Sequence, residues 1–150
     1  MKSFTSALSL LALISSALAA PASDAAADTS VSVSYDTAYD VSGTSMDTVS
    51  CSDGTYGLAS KWPTFGSVPG FPRIGGAPTI PGWNSPNCGT CYGLTYGSTT
   101  IYITAIDAAP GGFNIGLEAM NLLTDNQAED LGRITATYSV ANAEQCAGTA

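Results

Sequence analysis

Asp53 and Asp107 are the carboxylates in this sequence best placed to do chemistry. Each stands close to glycines that leave backbone open around it, Asp53 in Ser52-Asp53-Gly54 and Asp107 ahead of Pro110-Gly111-Gly112. Two carboxylates at a defined separation are what glycoside hydrolysis requires. Asp107 is the more telling, because it ends an apolar run over 101–106, where a charge must face solvent or a partner. Both also have a plain reading, since an aspartate in a turn hydrogen-bonds its own backbone. The chain contains no histidine, so triads that rely on one to activate a serine or thiol are excluded. It also lacks a phosphate-binding glycine loop, a dinucleotide fingerprint, a calcium loop and an N-glycosylation sequon.

The cysteines are Cys51, Cys88, Cys91 and Cys146. The N-terminus reads as a secretory signal over 1–19: Lys2, an apolar block over 7–14, then Ala17-Leu18-Ala19. That block is shorter than the roughly 20 apolar residues that span a bilayer. An even cysteine count behind such a signal implies two disulfides. A Cys88–Cys91 bridge would close a very small loop, which favours distant partners for each. Cys88-Gly-Thr-Cys91 also has redox-motif spacing, but the oxidising compartment and the missing βαβ surroundings count against that role. Zinc binding is disfavoured by the same compartment and the absent histidines, so no metal and no cofactor is expected.

Charge narrows the partners. The chain carries 4 basic and 12 acidic residues, a formal net charge of -8. Beyond residue 31 only Lys61, Arg73 and Arg133 are basic. Nucleic acid, whose phosphates need Lys and Arg, is excluded as a partner, and anionic lipid is disfavoured. A neutral polymer stays open, since aromatic rings stack on sugar faces while Asp, Asn and Tyr hydrogen-bond hydroxyls. Tyr35, Trp62, Trp83, Tyr92 and Phe113 are aromatics near polar neighbours, and Trp83, inside a Gly/Pro-rich stretch, is the one expected to be exposed.

The elements that must position these residues are mostly strands. Residues 20–30 are small, polar and acidic, a pro-segment or flexible lead to one domain over 31–150. Period-two alternation predicts a strand over 31–35. Residues 40–47 read as loop, 50–58 as a cysteine-anchored turn, and 59–65 as room for a helical turn limited by Pro63. The dense Gly and Pro of 66–89 bar long regular elements and predict an ordered loop anchored by Phe71, Ile74, Ile80 and Trp83. Strands follow over 92–96 and 99–106 around a Gly97-Ser98 turn. A short helix is expected over 115–123, offering Leu117, Met120, Leu122 and Leu123 to the core, with another turn over 127–131 and a final strand over 133–140. These elements indicate a compact barrel or sandwich with short helices.

The blocks Val-Ser-Val-Ser-Tyr-Asp (31–36), Cys-Ser-Asp-Gly-Thr-Tyr-Gly-Leu (51–58), Pro-Gly-Phe-Pro-Arg-Ile-Gly-Gly (69–76), the stretch 82–96 around Cys88-Gly-Thr-Cys91, and 103–115 around Ile106-Asp107, with the distant Cys146, together resemble the cerato-platanin family of small secreted fungal proteins. The resemblance implies a mostly β fold with short helices, a six-stranded double-psi β-barrel related to expansin-like domains. It implies disulfides Cys51–Cys88 and Cys91–Cys146. It further implies a non-catalytic protein of the fungal cell wall and secretome. The implied partners are chitin or N-acetylglucosamine oligomers, cellulosic material and a plant host receptor, with defence-eliciting, wall-loosening and interface self-assembly roles. The ligand groove carried over includes Asp107, with Asn114, Tyr35, Asp53, Gly54 and Gly112 around it. The expansin His-Phe-Asp motif is missing, which leaves Asp107 without acid–base company and favours binding over catalysis. The competing readings are a surface-active structural protein with a hydrophobin-like role and a weak glycoside-cleaving enzyme built on Asp53 and Asp107.

Overall fold

The structure is a computed structural model that describes residues 28–148. The signal expected over 1–19 and most of the 20–30 lead lie outside the described residues. Six strands close into a barrel: β1 (Thr29–Tyr35), β2 (Ile74–Ala77), β3 (Cys91–Tyr96), β4 (Thr99–Ala108), β5 (Phe113–Ile115) and β6 (Arg133–Val140). Their order around the wall is β1-β5-β2-β4-β3-β6. Two neighbouring pairs run parallel, β1 with β5 and β2 with β4, and the other four run antiparallel. This is the mostly β, six-stranded double-psi barrel that the resemblance implied. Full closure leaves no unpaired sheet edge for another chain to extend.

Alternation writes the wall. Ile101 and Ile103 on β4, Val33 on β1 and Ile134 and Ala136 on β6 point inward and are buried, while their sequence neighbours, apart from the buried Thr104, are more exposed. Tyr92, Phe113 and Tyr138 meet edge to face, with ring centroids 5.2–5.9 Å apart, and pack one end of the core.

Within the stretch expected as an ordered loop, Ile74-Gly75-Gly76-Ala77 is a short, fully buried strand, β2, wedged between β4 and β5. Glycines hide it from any alternation pattern, yet they are required. A Cβ on Gly75 would run into the Asn114 carbonyl of the neighbouring strand.

The helical segments are short. Two 3-10 turns, Thr37–Asp40 and Met46–Thr48, flank the stretch 40–47 expected as loop and overlap its ends. Helix α1 is Leu117–Thr124, starting later than expected because Ile115 ends β5. Met120 and Leu123 are buried, but Leu122 is 56% exposed and is not a core residue. Helix α2 is Ala128–Leu131 and α3 is Ala143–Cys146. The disulfides are Cys51–Cys88 and Cys91–Cys146, as implied. The first staples the 51–58 turn to the Gly/Pro stretch; the second fastens α3 to the start of β3. Among the described residues no helix is long and apolar enough to cross a membrane.

Candidate functional site

A bulge aims Asp107. Along β4 the odd positions Ile101, Ile103 and Ala105 face the core, so unbroken alternation would send residue 107 inward as well. The register with β2 slips between Gly75 and Gly76: Gly75 pairs with Ala105 and Gly76 with Asp107. Ile106 is the extra residue and fills the core, while Asp107 turns to the half-buried outer wall.

Register then assembles a row. Gly76 pairs with Asp107 on one side and with Asn114 on the other. Asn114 pairs with Ser34, and Ser34 with Arg133. Laterally paired residues share a face, and strands lie about 4.8 Å apart, so Asp107 and Asn114 stand about 10 Å apart across a glycine. The Ser34 hydroxyl donates to Asn114 Oδ1 at 3.1 Å, and Arg133 Nη1 donates to Ser32 Oγ at 2.8 Å. Beside the row lies an open cavity of about 210 Å³, lined by Ser34, Pro110, Gly111, Gly112, Asn114 and Arg133. Gly112 has φ +134°, and a Cβ there would strike the Ser32 carbonyl, so only glycine lets this turn close against β1.

Asp107 is held firmly in place. Its Oδ1 accepts from the Ser50 N–H at 2.9 Å and from the Ala108 N–H at 2.8 Å. Its Oδ2 accepts from the Tyr39 hydroxyl at 3.1 Å. Burial, helped by the Asp107 carboxylate, pushes the Tyr39 phenol well above the ordinary tyrosine range. The 3-10 turn that carries Tyr39 is capped by Asp36, whose Oδ1 accepts from the Ala38 N–H at 2.9 Å. The next residue, Asp40, takes the Leu117 and Glu118 N–H groups at 2.7 and 3.1 Å, supplying the cap that Gly116 cannot. One turn therefore props both the groove aspartate and α1. Tyr39, Ser50 and Asp40 were missed in the sequence, where nothing local marks a partner 57 to 78 residues away.

The other sequence candidates separate. Tyr35 pairs with Ile115, so it takes the core-facing parity and packs against the core, not along the Asn114 row. Asp53 and Gly54 lie on the disulfide-stapled turn. There Asp53 Oδ1 accepts the Trp83 indole N–H at 2.6 Å, and Gly54 (φ +88°) leaves room for Asn84. Asn84 Oδ1 in turn accepts the Tyr56 N–H at 3.0 Å. The sequence candidates thus fall into a polar row holding Asp107, Asn114 and the Gly112 turn, and a loop pair holding Asp53 and Gly54.

A closed six-stranded barrel with two long-range disulfides and a strand-ending aspartate at a bulge defines a class of small disulfide-bonded barrel proteins. A model of the cerato-platanin family matches residues 31–148, and the chain belongs to that family. It is 63% identical over 147 residues to "Allergen Asp f 15" of Aspergillus fumigatus, covering 96% of this chain and 97% of that one. To "Cerato-platanin" of Ceratocystis fimbriata f. sp. platani it is 41% identical over 127 residues, covering 84% of each. Among solved structures, cerato-platanin 1 from M. perniciosa superposes with a TM-score of 0.76 at 46% identity, covering 77% of this chain and 98% of that one. The solution structure of the fungal elicitor cerato-platanin gives 0.73 at 40% identity, covering 79% and 98%.

Proposed function

We propose that this is a secreted, non-catalytic protein that binds chitin-type N-acetylglucosamine oligomers along the polar row and acts at the fungal wall and on plant defence. One observation carries the reading: Ser34, Asn114, Arg133 and the Gly112 turn line one open cavity of about 210 Å³ beside the row that Asp107 ends. A shallow trough with side-chain amide, hydroxyl and guanidinium groups suits hydroxyls and acetamido groups of a neutral chain. The acidic balance repels anionic polymers and costs nothing with a neutral one. Asp107 fits a positioning role better than an acid–base role, because its carboxylate already holds three donors. The solved relative described as a fungal elicitor supports the defence-related part of the reading. Loosening of cellulosic walls belongs to the same proposal, as a consequence of binding between chains.

The test is a titration with N-acetylglucosamine oligomers followed by amide chemical shifts. Shifts concentrated at Ser34, Gly112 and Asn114 are the expected result. Oligomer at millimolar concentration that moves no amide would remove the carbohydrate reading.

A further inference from the structure

Trp83 is a large aromatic side chain exposed to solvent. It is 63% exposed, yet its ring is fixed: the indole N–H donates to Asp53 Oδ1 at 2.6 Å. The backbone around it is shaped for that arrangement. Gly54 has φ +88°, and a Cβ there would sit 3.1 Å from the indole and 2.6 Å from Asn84 Oδ1. Asn84 itself takes the left-handed conformation, φ 59°, which puts its Oδ1 on the Tyr56 N–H. Tyr56 is 48% exposed, and the Cys51–Cys88 bridge ties the two loops together. An exposed tryptophan with its polar edge consumed and its orientation locked has lost conformational entropy before any ligand arrives. That is preorganisation for contact through the ring face.

We propose that Trp83, assisted by Tyr56, is a stacking platform for the apolar face of a pyranose in a neutral polysaccharide. The proposal rests on the carbohydrate reading above and adds the ring faces of the 53–56 and 83–84 loops to the contacts offered by the row of Asp107 and Asn114. The surroundings select the occupant. The Asp53 carboxylate at the indole edge repels sulfated, phosphorylated or carboxylated chains. Thr55, Asn84 and the Tyr56 hydroxyl offer hydrogen bonds to sugar hydroxyls. Among the described residues the other exposed large apolar side chains, Val41, Leu122, Leu131 and Val140, lie on other segments of the chain.

Intrinsic fluorescence of the intact, disulfide-bonded protein titrated with N-acetylglucosamine hexamer tests this directly, because the chain has only 2 tryptophans. Trp62 is half-buried beneath the Lys61 ammonium, 4.4 Å from its ring, and serves as the internal control. Trp62→Phe is expected to keep a saturable emission change, and Trp83→Ala to weaken hexamer binding by about tenfold, the scale for truncating an aromatic anchor. Asp53→Ala, which frees the indole without removing it, is expected to weaken binding several-fold. Hexamer binding by Trp83→Ala equal to the parent would overturn the platform while leaving the carbohydrate reading intact. No binding by the parent itself would overturn both. An emission shift with phosphatidylcholine vesicles but none with hexamer would assign the ring to interfaces and overturn the sugar assignment.

Discussion

Tyr39 donates its hydroxyl to Asp107 Oδ2 at 3.1 Å, joining a 3-10 turn near the N-terminus to the end of the longest strand, 68 residues away. The pair makes a polar strut under the groove: the tyrosine is buried and the carboxylate half-buried.

That strut has a pH signature. The folded protein holds the Tyr39 proton more tightly than the unfolded chain, whose tyrosine ionises at about 10. A raised folded value means its contribution is fully present below about pH 10 and declines as pH rises further. Urea unfolding from pH 7 to 11 is expected to show that decline, and Tyr39→Phe to make it shallower. At pH 7 the same substitution should cost about 1–2 kcal/mol, since Asp107 loses one donor. Parallel alkaline slopes in the two proteins would refute the strut.

Asp107 and Asn114 share the row but carry different loads. Asp107→Ala strands the Ser50 and Ala108 N–H groups and the Tyr39 hydroxyl, and should cost about 2–4 kcal/mol of stability. Asn114→Ala gives up one bond from Ser34 and should cost under about 1 kcal/mol. Its binding of N-acetylglucosamine oligomers should nonetheless fall by about tenfold, the equivalent of 1.4 kcal/mol. Calorimetric melting alongside titration calorimetry separates the two effects. If Asn114→Ala binds normally, the row is structural and not a ligand surface.

How much of this was legible follows from which interactions are local. Alternation in 31–35 marks β1, and β-branched and aromatic residues around the Gly97-Ser98 turn mark β3 and β4, because a strand between a core and an outer face favours such residues. β2 shows no such signal, since Gly75 lies against the Asn114 backbone and Gly76 against Ala109, and neither carries a side chain to alternate. β5 is three residues long, too short for a pattern. The importance of Asp107 was readable from its place at the end of an apolar run. Its outward aim depends on a bulge, and its partners on chain segments that only the barrel brings near. Trp83 was readable as exposed from its Gly/Pro setting, but the Asp53 lock was not.

Gly112 tests the turn that borders the row. Its φ of +134° disfavours any other residue, and an added Cβ would collide with the Ser32 carbonyl on β1. Gly112→Ala is expected to destabilise the protein by more than about 2 kcal/mol, combining backbone strain with a backbone clash. Gly111→Ala makes a matched control, because nothing lies within 4 Å of its would-be Cβ. Equal melting temperatures for the two variants would mean that the turn relaxes freely.

The two disulfides should look alike in global stability and differ locally. They join cysteines 37 and 55 residues apart, and in the loop-entropy account each contributes about 4 kcal/mol. Cys51–Cys88 also ties the turn bearing Asp53 to the stretch bearing Trp83, whereas Cys91–Cys146 fastens α3 to β3. Replacing Cys51 and Cys88 by alanine should loosen the indole lock and raise acrylamide quenching of Trp83, read in a Trp62→Phe background while the barrel remains folded. Replacing Cys91 and Cys146 should lower the melting temperature by a similar amount and leave that quenching unchanged. A rise in both variants would mean that Trp83 reports general loosening of the barrel, and that its orientation does not depend on the staple beneath it.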